Sequence, residues 1–317
     1  MRNLLATICS LLVFVACSRP HDEAVANPTP PAPARIAAPA DFDGDGISEP
    51  VLYRGGVWLS FGSAAGPAGR SLMRTAETSP GCIPVPADYD GDGKTDFAID
   101  CAGAWHIYNA DGTYRKGVWT GGVPGDLPVP ADYDGDGRAD VVVFRAGAWM
   151  FYDTASGANT RSVWTGPGGG VTPLPMDYDG DGRADFTIYQ KGVWHFYHAD
   201  GTYYRGLWTG GAAGDVPVPG SYHRRGRDEV VIFRDGGWTF FNLETRAKAG
   251  SVWTGATAPP GHSLLPAPLD LDGDGTLELT VYAGGPWHFY KDDGTYLRGI
   301  STGGAPNDQP ISRRQLP

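Results

Sequence analysis

The chain is short of helical patterning, of cysteine and of recognisable catalytic signatures, and each shortage narrows what it is. No window of its 317 residues carries a long run of apolar residues at helical spacing, so almost no helix is expected. Four cysteines are few, and two of them, Cys9 and Cys17, fall in the N-terminal segment. There is no Gly-x-Ser-x-Gly, no His-Glu-x-x-His and no Cys-His arrangement, which argues against an enzyme. Basic residues are outnumbered: 25 Lys and Arg against 36 Asp and Glu leave a formal charge of −11, which disfavours nucleic acid as a partner. What the chain has in quantity is glycine, 47 residues, and proline, 27, the composition of many turns.

The N-terminus reads separately from the rest. One early positive charge, Arg2, precedes an apolar run from Leu11 to Ala16 that stops at Cys17, the pattern of an export signal. The run is too short for a permanent membrane span, and Phe14-Val15-Ala16-Cys17 resembles the bacterial lipoprotein cleavage box. The expected organisation is a lipoprotein signal peptide over residues 1–16, a lipidated Cys17 heading a Pro-rich tether over 17–40, and a folded region over 36–317. A simple secretory signal or an uncleaved anchor is the alternative. Ser18 resembles the outer-membrane sorting pattern, so the chain is expected to be exported and held at the outer membrane or cell surface through its lipid alone. In polyproline form the tether would extend about 3.1 Å per residue.

Alignment on Asp-Tyr-Asp-Gly-Asp-Gly shows copies starting at Asp41, Asp88, Asp132, Asp177 and Asp270, with a degraded copy at Ser221, at spacings of 47, 44, 45, 44 and 49 residues. A period in this range with strand patterns inside it points to propeller blades rather than helical solenoids. Unit three reads Leu127-Pro-Val-Pro, the acidic loop, Val141-Val-Val-Phe144, Trp149-Met-Phe-Tyr152 and Ser162-Val-Trp-Thr-Gly166, four short strands joined by tight turns. A glycine stands two residues before the third-strand Trp in every unit (Gly56, Gly103, Gly147, Gly192, Gly236, Gly285), where a positive φ closes a hairpin. Asp111-Gly112, Asp200-Gly201 and Asp293-Gly294 read as further hairpin turns of the primed type.

The ten tryptophans divide into two sets. Trp58, Trp105, Trp149, Trp194, Trp238 and Trp287 lie in third strands and are expected to pack between blades. Trp119, Trp164, Trp208 and Trp253 occupy a fourth-strand Trp-Thr-Gly, at the outer edge, where partial exposure is expected. His106, His195 and His288 follow the third-strand Trp, project to the other side of the strand and repeat in a way that suggests packing between blades. Cys82, six residues before Asp88, and Cys101, five after Asp96, come nearly opposite when the loop folds back, so a disulfide is expected.

The acidic loops have the chemistry of a metal site. In Asp88-Tyr-Asp90-Gly-Asp92-Gly-Lys94-Thr-Asp96, oxygens at positions 1, 3, 5 and 9 with a carbonyl at 7 can wrap one hard cation, and glycines at 4 and 6 allow the tight coil. The equivalent sets are Asp41, Asp43, Asp45, Glu49; Asp132, Asp134, Asp136, Asp140; Asp177, Asp179, Asp181, Asp185; and Asp270, Asp272, Asp274, Glu278. Calcium fits, because it accepts six to eight oxygens in flexible geometry; no Cys or His shares the loops to suggest zinc. About five calcium sites are expected. In the degraded copy, Ser221 to Glu229, positions 3 and 5 are His223 and Arg225; there an arginine is expected to replace the ion, pairing with Glu229 or Asp228.

Ala131-Asp-Tyr-Asp-Gly-Asp-Gly-Arg-Ala-Asp-Val-Val-Val-Phe144 resembles the FG-GAP/VCBS repeat of integrin-α-like β-propellers, and the resemblance runs over residues 36–317. It implies an all-β propeller of four-stranded antiparallel blades, six by the visible units and seven as the alternative. The tail Asp308-Gln-Pro-Ile-Ser312 resembles a first-strand segment that could close the ring beside the N-terminal blade. In the family the metal loops lie on the lower face and partners bind the opposite face or inter-blade clefts. The expected function is a monomeric, calcium-stabilised, non-enzymatic binding module at the cell surface. Its expected partner is carbohydrate or another surface polymer. An assembly role with an envelope protein is the first alternative, an extracellular hydrolase or lyase the second.

Overall fold

Short β-branched and aromatic runs divided by glycine turns become strands throughout the computed structural model, which describes residues 40–62, 69–75, 81–166, 169–305 and 307–312. The signal segment, Cys17 and the tether up to residue 39 lie outside the described residues. Among those residues there are 24 strands and no helix, arranged as six four-stranded antiparallel sheets. Blade two is representative: Cys82–Pro84, Phe97–Cys101, Ala104–Tyr108 and Tyr114–Trp119 lie side by side in chain order. The fourth strand is largely exposed and forms the outer edge. The acidic loop and the hairpin after the third strand sit at one end of each blade; the hairpin after the second strand and the link to the next blade sit at the other.

The ring closes with the chain's last strand. Gln309–Ile311 pairs antiparallel with Val51–Arg54, in the register Val51↔Ile311, Leu52↔Pro310, Tyr53↔Gln309. Blade one is therefore built from both ends of the chain, and the product is a six-bladed β-propeller. Ile311 is fully buried at this seam.

Alternation along the third strand decides what holds the blades together. In Ala104–Tyr108 the second and fourth residues are buried, and all six third-strand tryptophans have no exposed surface. They pack against the following blade: the Trp58 ring lies 5.3 Å from Phe97, and Trp149 lies 5.1 Å from Phe186. Trp105 shares a cluster with Val141 and Val143 of blade three. Truncating a buried aromatic of this size costs about 3–5 kcal/mol.

The hairpins between second and third strands bring two left-handed residues together in every blade. Gly103 (φ 90°) follows Ala102 (φ 53°), and Gly147, Gly192 and Gly236 likewise follow Ala146, Lys191 and Asp235 at φ of 49°, 46° and 48°. Positive φ at both central positions is what a primed type I turn requires. The Asp-Gly pairs after the third strand differ from the expectation. Gly112 has φ 84°, while Asp111 is not left-handed. The chain there makes a longer turn in which Gly112 N donates to Asn109 O at 2.8 Å, Asn109 N donates to Thr113 O at 2.9 Å, and the strand register shifts beside Tyr108. The Asp111 carboxylate is occupied by the Thr113 amide at 2.8 Å and hydroxyl at 2.6 Å, and this capping bond favours the wider turn.

A threonine at the end of each fourth strand ties the outer edge back to the hairpin. The Thr120 amide and hydroxyl both donate to Gly103 O, at 2.8 and 3.2 Å. Thr75, Thr165, Thr209, Thr254 and Thr302 repeat the clamp on Gly56, Gly147, Gly192, Gly236 and Gly285. Blades one and six keep this threonine although Arg74 and Ser301 precede it where the other blades have Trp.

The six blades also alternate. Blades two, four and six share Trp-His-x-Tyr (105–108, 194–197, 287–290) and Asp-Gly-Thr-Tyr (111–114, 200–203, 293–296). Blades one, three and five instead bolt their second strand to the incoming link by an arginine: Arg145 Nε meets Asp126 Oδ1 at 2.7 Å, Arg54 Nε meets Asp308 Oδ1 at 2.5 Å and Arg234 Nε meets Asp215 Oδ1 at 2.6 Å. The structural unit is a pair of blades, repeated three times.

Candidate metal centres and an exposed aromatic rim

The backbone of each acidic loop aims its carboxylates. In blade two, Asp88 Oδ1 accepts from Gly91 N at 2.6 Å and Asp88 Oδ2 from Gly93 N at 2.8 Å. Asp92 Oδ1 accepts from Lys94 N at 2.9 Å, and Asp96 Oδ2 from Tyr89 N at 3.0 Å. The same two glycine amides reach Asp41, Asp132, Asp177 and Asp270 in the other four loops. The glycines hold positive φ so that successive amides turn inward, for example 76° at Gly91 and 87° at Gly93.

Carboxylate oxygens converge in all five loops. Asp41, Asp43, Asp45 and Glu49 bring oxygens within 4.8 Å of one another, as do Asp88, Asp90 and Asp96; Asp132, Asp134 and Asp136; Asp177, Asp179 and Asp185; and Asp270, Asp272 and Glu278. Asp92, Asp140, Asp181 and Asp274 stand outside these tightest groups. Asp274 is drawn off by an ion pair with Arg224.

The residues fit a hard cation on their own chemistry. Asp96 has no exposed surface, and its Oδ1 is buried without a hydrogen-bond partner. Burial, and then repulsion from the neighbouring carboxylates, pushes Asp96 up to about 7, Asp140 to about 6 and Asp185 to about 8, with Glu49 and Glu278 at about 7. Negative groups held in this way are stabilised by a positive charge among them. Five acidic clusters can therefore hold metal ions.

The fifth loop supplies its own cation. His223 Nδ1 lies 2.8 Å from Glu229 Oε2, and Arg225 Nε lies 3.3 Å from Glu229 Oε1, so the arginine pairs with Glu229. Asp228, the other candidate partner, instead accepts from Asp177 N at 3.0 Å.

The loops form a closed circle. The position-eight amide of each donates to the position-one carbonyl of the loop before it: Thr95 to Asp41, Ala139 to Asp88, Ala184 to Asp132, Asp228 to Asp177, Leu277 to Ser221 and Ser48 to Asp270, all between 2.6 and 2.8 Å. Sequence reading missed these links, because the residues at position eight vary and the bond common to all six is made by their backbone; only Ser48 Oγ and Asp228 Oδ2 add a side-chain bond in return among the described links.

Cys82 and Cys101 are directly paired in register and joined by a disulfide, Cα to Cα 4.2 Å. The histidines His106, His195 and His288 do lie on the strand face opposite the third-strand Trp, but each packs within its own blade, 6.1 to 6.4 Å from Tyr114, Tyr203 and Tyr296 of the fourth strand.

The fourth-strand indoles stand out. Trp119, Trp164, Trp208 and Trp253 are 61, 65, 61 and 66 % exposed, an arc over blades two to five at the end of the blades opposite the acidic loops.

A six-bladed ring with acidic loops between first and second strands defines the class, and comparison with known proteins agrees. Residues 88–143 and 132–188 match the model of the FG-GAP-like repeat. The chain carries FG-GAP-like repeats on a six-bladed β-propeller. No curated protein matches its sequence. Among solved structures it is similar to an Agrocybe aegerita lectin that recognises non-reducing terminal N-acetylglucosamine (15% identity, TM-score 0.54, covering 83% of this chain and 79% of that one). It is also similar to a protein of unknown function from Bacteroides caccae (11%, TM-score 0.52, 84% and 100%) and to BBS1N in complex with ARL6DN (12%, TM-score 0.51, 88% and 84%). At these identities the likeness establishes the fold.

Proposed function

We propose that the chain is a calcium-stabilised, non-enzymatic binding module, displayed at the cell surface on a lipid and tether, that recognises carbohydrate. The observation that carries the binding role is the arc of four exposed indoles at positions where the fold uses only the adjacent threonine. Single flat aromatic faces spaced around a ring suit the apolar faces of sugar rings, whereas an obligate protein interface would gather them into one patch. The Agrocybe aegerita lectin supports the idea by fold-level analogy. Calcium is the favoured ion because the loops offer only oxygen donors, in a count and flexibility that magnesium's stricter octahedron does not need.

The test is a glycan array probed with and without a calcium chelator. Hits in calcium that weaken in chelator support the reading. An array blank in both states, with capture of a single envelope protein, replaces carbohydrate by a protein partner. Calorimetric titration with calcium is expected to find five sites per chain, and a chain that takes up none refutes the metal assignment.

A further inference from the structure

The carbohydrate reading leaves open which part of the ring meets a sugar, and the alternation of the blades narrows it. On the fourth strand of blade two, Tyr114, Gly117 and Trp119 share one face, opposite Tyr108, His106 and Ala104 of the third strand. His106 and Gly117 are direct neighbours, and the Tyr114 phenol reaches across the bare glycine beside the imidazole. The Tyr114 ring packs edge-on against Tyr108 at 5.2 Å and lies 6.4 Å from His106.

The glycine is what permits this arrangement. A Cβ at Gly117 would stand 2.9 Å from the Tyr114 hydroxyl, so a side chain there would push the phenol off the strand. Blade four repeats the geometry: Tyr203 packs on Tyr197 at 5.5 Å and lies 6.1 Å from His195, with its hydroxyl 2.7 Å from a Cβ at Gly206. In blade six the values are 5.3 Å from Tyr296 to Tyr290, 6.2 Å to His288 and 2.6 Å at Gly299, but Ser301 stands where the tryptophan would be.

The odd blades lack the set. Their histidine position is Leu59, Met150 or Thr239, and the residue facing it is Ser71, Ser162 or Ser251. Trp164 and Trp253 are exposed there, yet neither has a histidine, tyrosine and glycine beside it.

We infer that the even blades carry three copies of a pyranose-binding subsite, each with a tyrosine laid across a glycine beside a histidine, complete with tryptophan in blades two and four and lacking it in blade six. The inference rests on the carbohydrate reading and gives it an address. The tyrosine hydroxyl over the glycine and the tryptophan stand two residues of strand apart, about 6.7 Å, so a sugar ring laid on the indole comes within reach of the hydroxyl. Among the described residues, no hydrogen bond joins the three imidazoles or the three tyrosine hydroxyls to another group, so their donors and acceptors are available to ligand hydroxyls. Burial pushes His195 and His288 down towards the neutral form. Neutral polar groups beside an aromatic face match a neutral sugar better than an anion. Three copies on one rigid ring favour a repeating polymer or clustered glycan ends.

The experiment uses the whole chain in calcium, titrated calorimetrically with tetrasaccharides of glucose, galactose, mannose and N-acetylglucosamine. One of them is expected to fill two like sites per chain and a weaker third. W119A/W208A should lower affinity about tenfold with an unchanged melting temperature, and Y114F/Y203F about fivefold, since one hydrogen bond per site is lost. S162A/S251A, at the odd-blade positions that correspond to Gly117 and Gly206, should leave affinity within about twofold of the parent. If a tetrasaccharide binds, but W164A/W253A abolishes it while Y114F/Y203F has no effect, the subsites are wrong and the carbohydrate reading stands. If none of the four binds and the glycan array is blank, both fall.

Discussion

The amide of Ser48 in the first acidic loop donates to the carbonyl of Asp270 in the sixth at 2.6 Å, and the Asp270 amide donates back to Ser48 Oγ at 3.1 Å. This is the link that joins the two ends of the chain into the circle of loops. Each link runs from position eight of one loop to position one of its neighbour, so an ion that orders one loop's ligands also steadies the next. Calcium binding is therefore expected to be coupled. Asp132→Asn, which disables the third loop with little change of shape, should weaken the sites in loops two and four by about fivefold or more. The site built on Asp270, three links from the third loop in either direction around the circle, should change least. Site-resolved titration checks this, and unaltered affinities at loops two and four would show the sites to be independent.

The buried carboxylates set the pH dependence of the metal-free protein. Asp96, Asp140, Asp185, Glu49 and Glu278 titrate between about 6 and 8 when folded, against 3.8 and 4.5 for unperturbed Asp and Glu. The folded chain thus binds these protons more tightly than the unfolded one. Their contribution to stability is complete below about pH 4 and is lost as pH rises through about 6 to 8. In chelator the melting temperature should fall between pH 5 and pH 8. With excess calcium the same groups are held ionised by the metal, and the melting temperature should hold level or rise over that range. A chelated melt that rises from pH 5 to pH 8 contradicts the assignment.

The period, the strand count per unit and the acidic clusters were legible in the sequence because the loop constrains side chains at fixed positions, and Asp-x-Asp-Gly-Asp-Gly stands in five copies. The ring closure by Gln309–Ile311 was legible for the same reason, as a first-strand segment without a blade of its own. The pairing of blades was hidden because the acidic loop dominates any alignment. It repeats in every unit, whereas the Arg145–Asp126 and His106–Tyr114 pairs join residues 19 and 8 positions apart and occur in alternate units. The amide-to-carbonyl links between loops leave no sequence trace, since they are made by main-chain atoms.

The Trp-Thr-Gly signature separates a fold residue from a surface residue two atoms of backbone apart in role. Thr254 is buried and gives its amide to Gly236 O at 3.0 Å and its hydroxyl at 2.7 Å, while Trp253 beside it is 66 % exposed. Thr254→Val keeps the shape but removes the hydroxyl bond, leaving the Gly236 carbonyl with one donor fewer; it should cost about 1 kcal/mol. Trp253→Ala, although it deletes a far larger side chain, should change stability by no more than about 0.5 kcal/mol. Urea unfolding of the two variants in calcium measures both values. The order follows from burial rather than size, because an exposed indole gives up little to water on unfolding. A tryptophan variant that loses more stability than the threonine variant would mean that the rim indoles are packed, and would withdraw the surface on which the binding proposal stands.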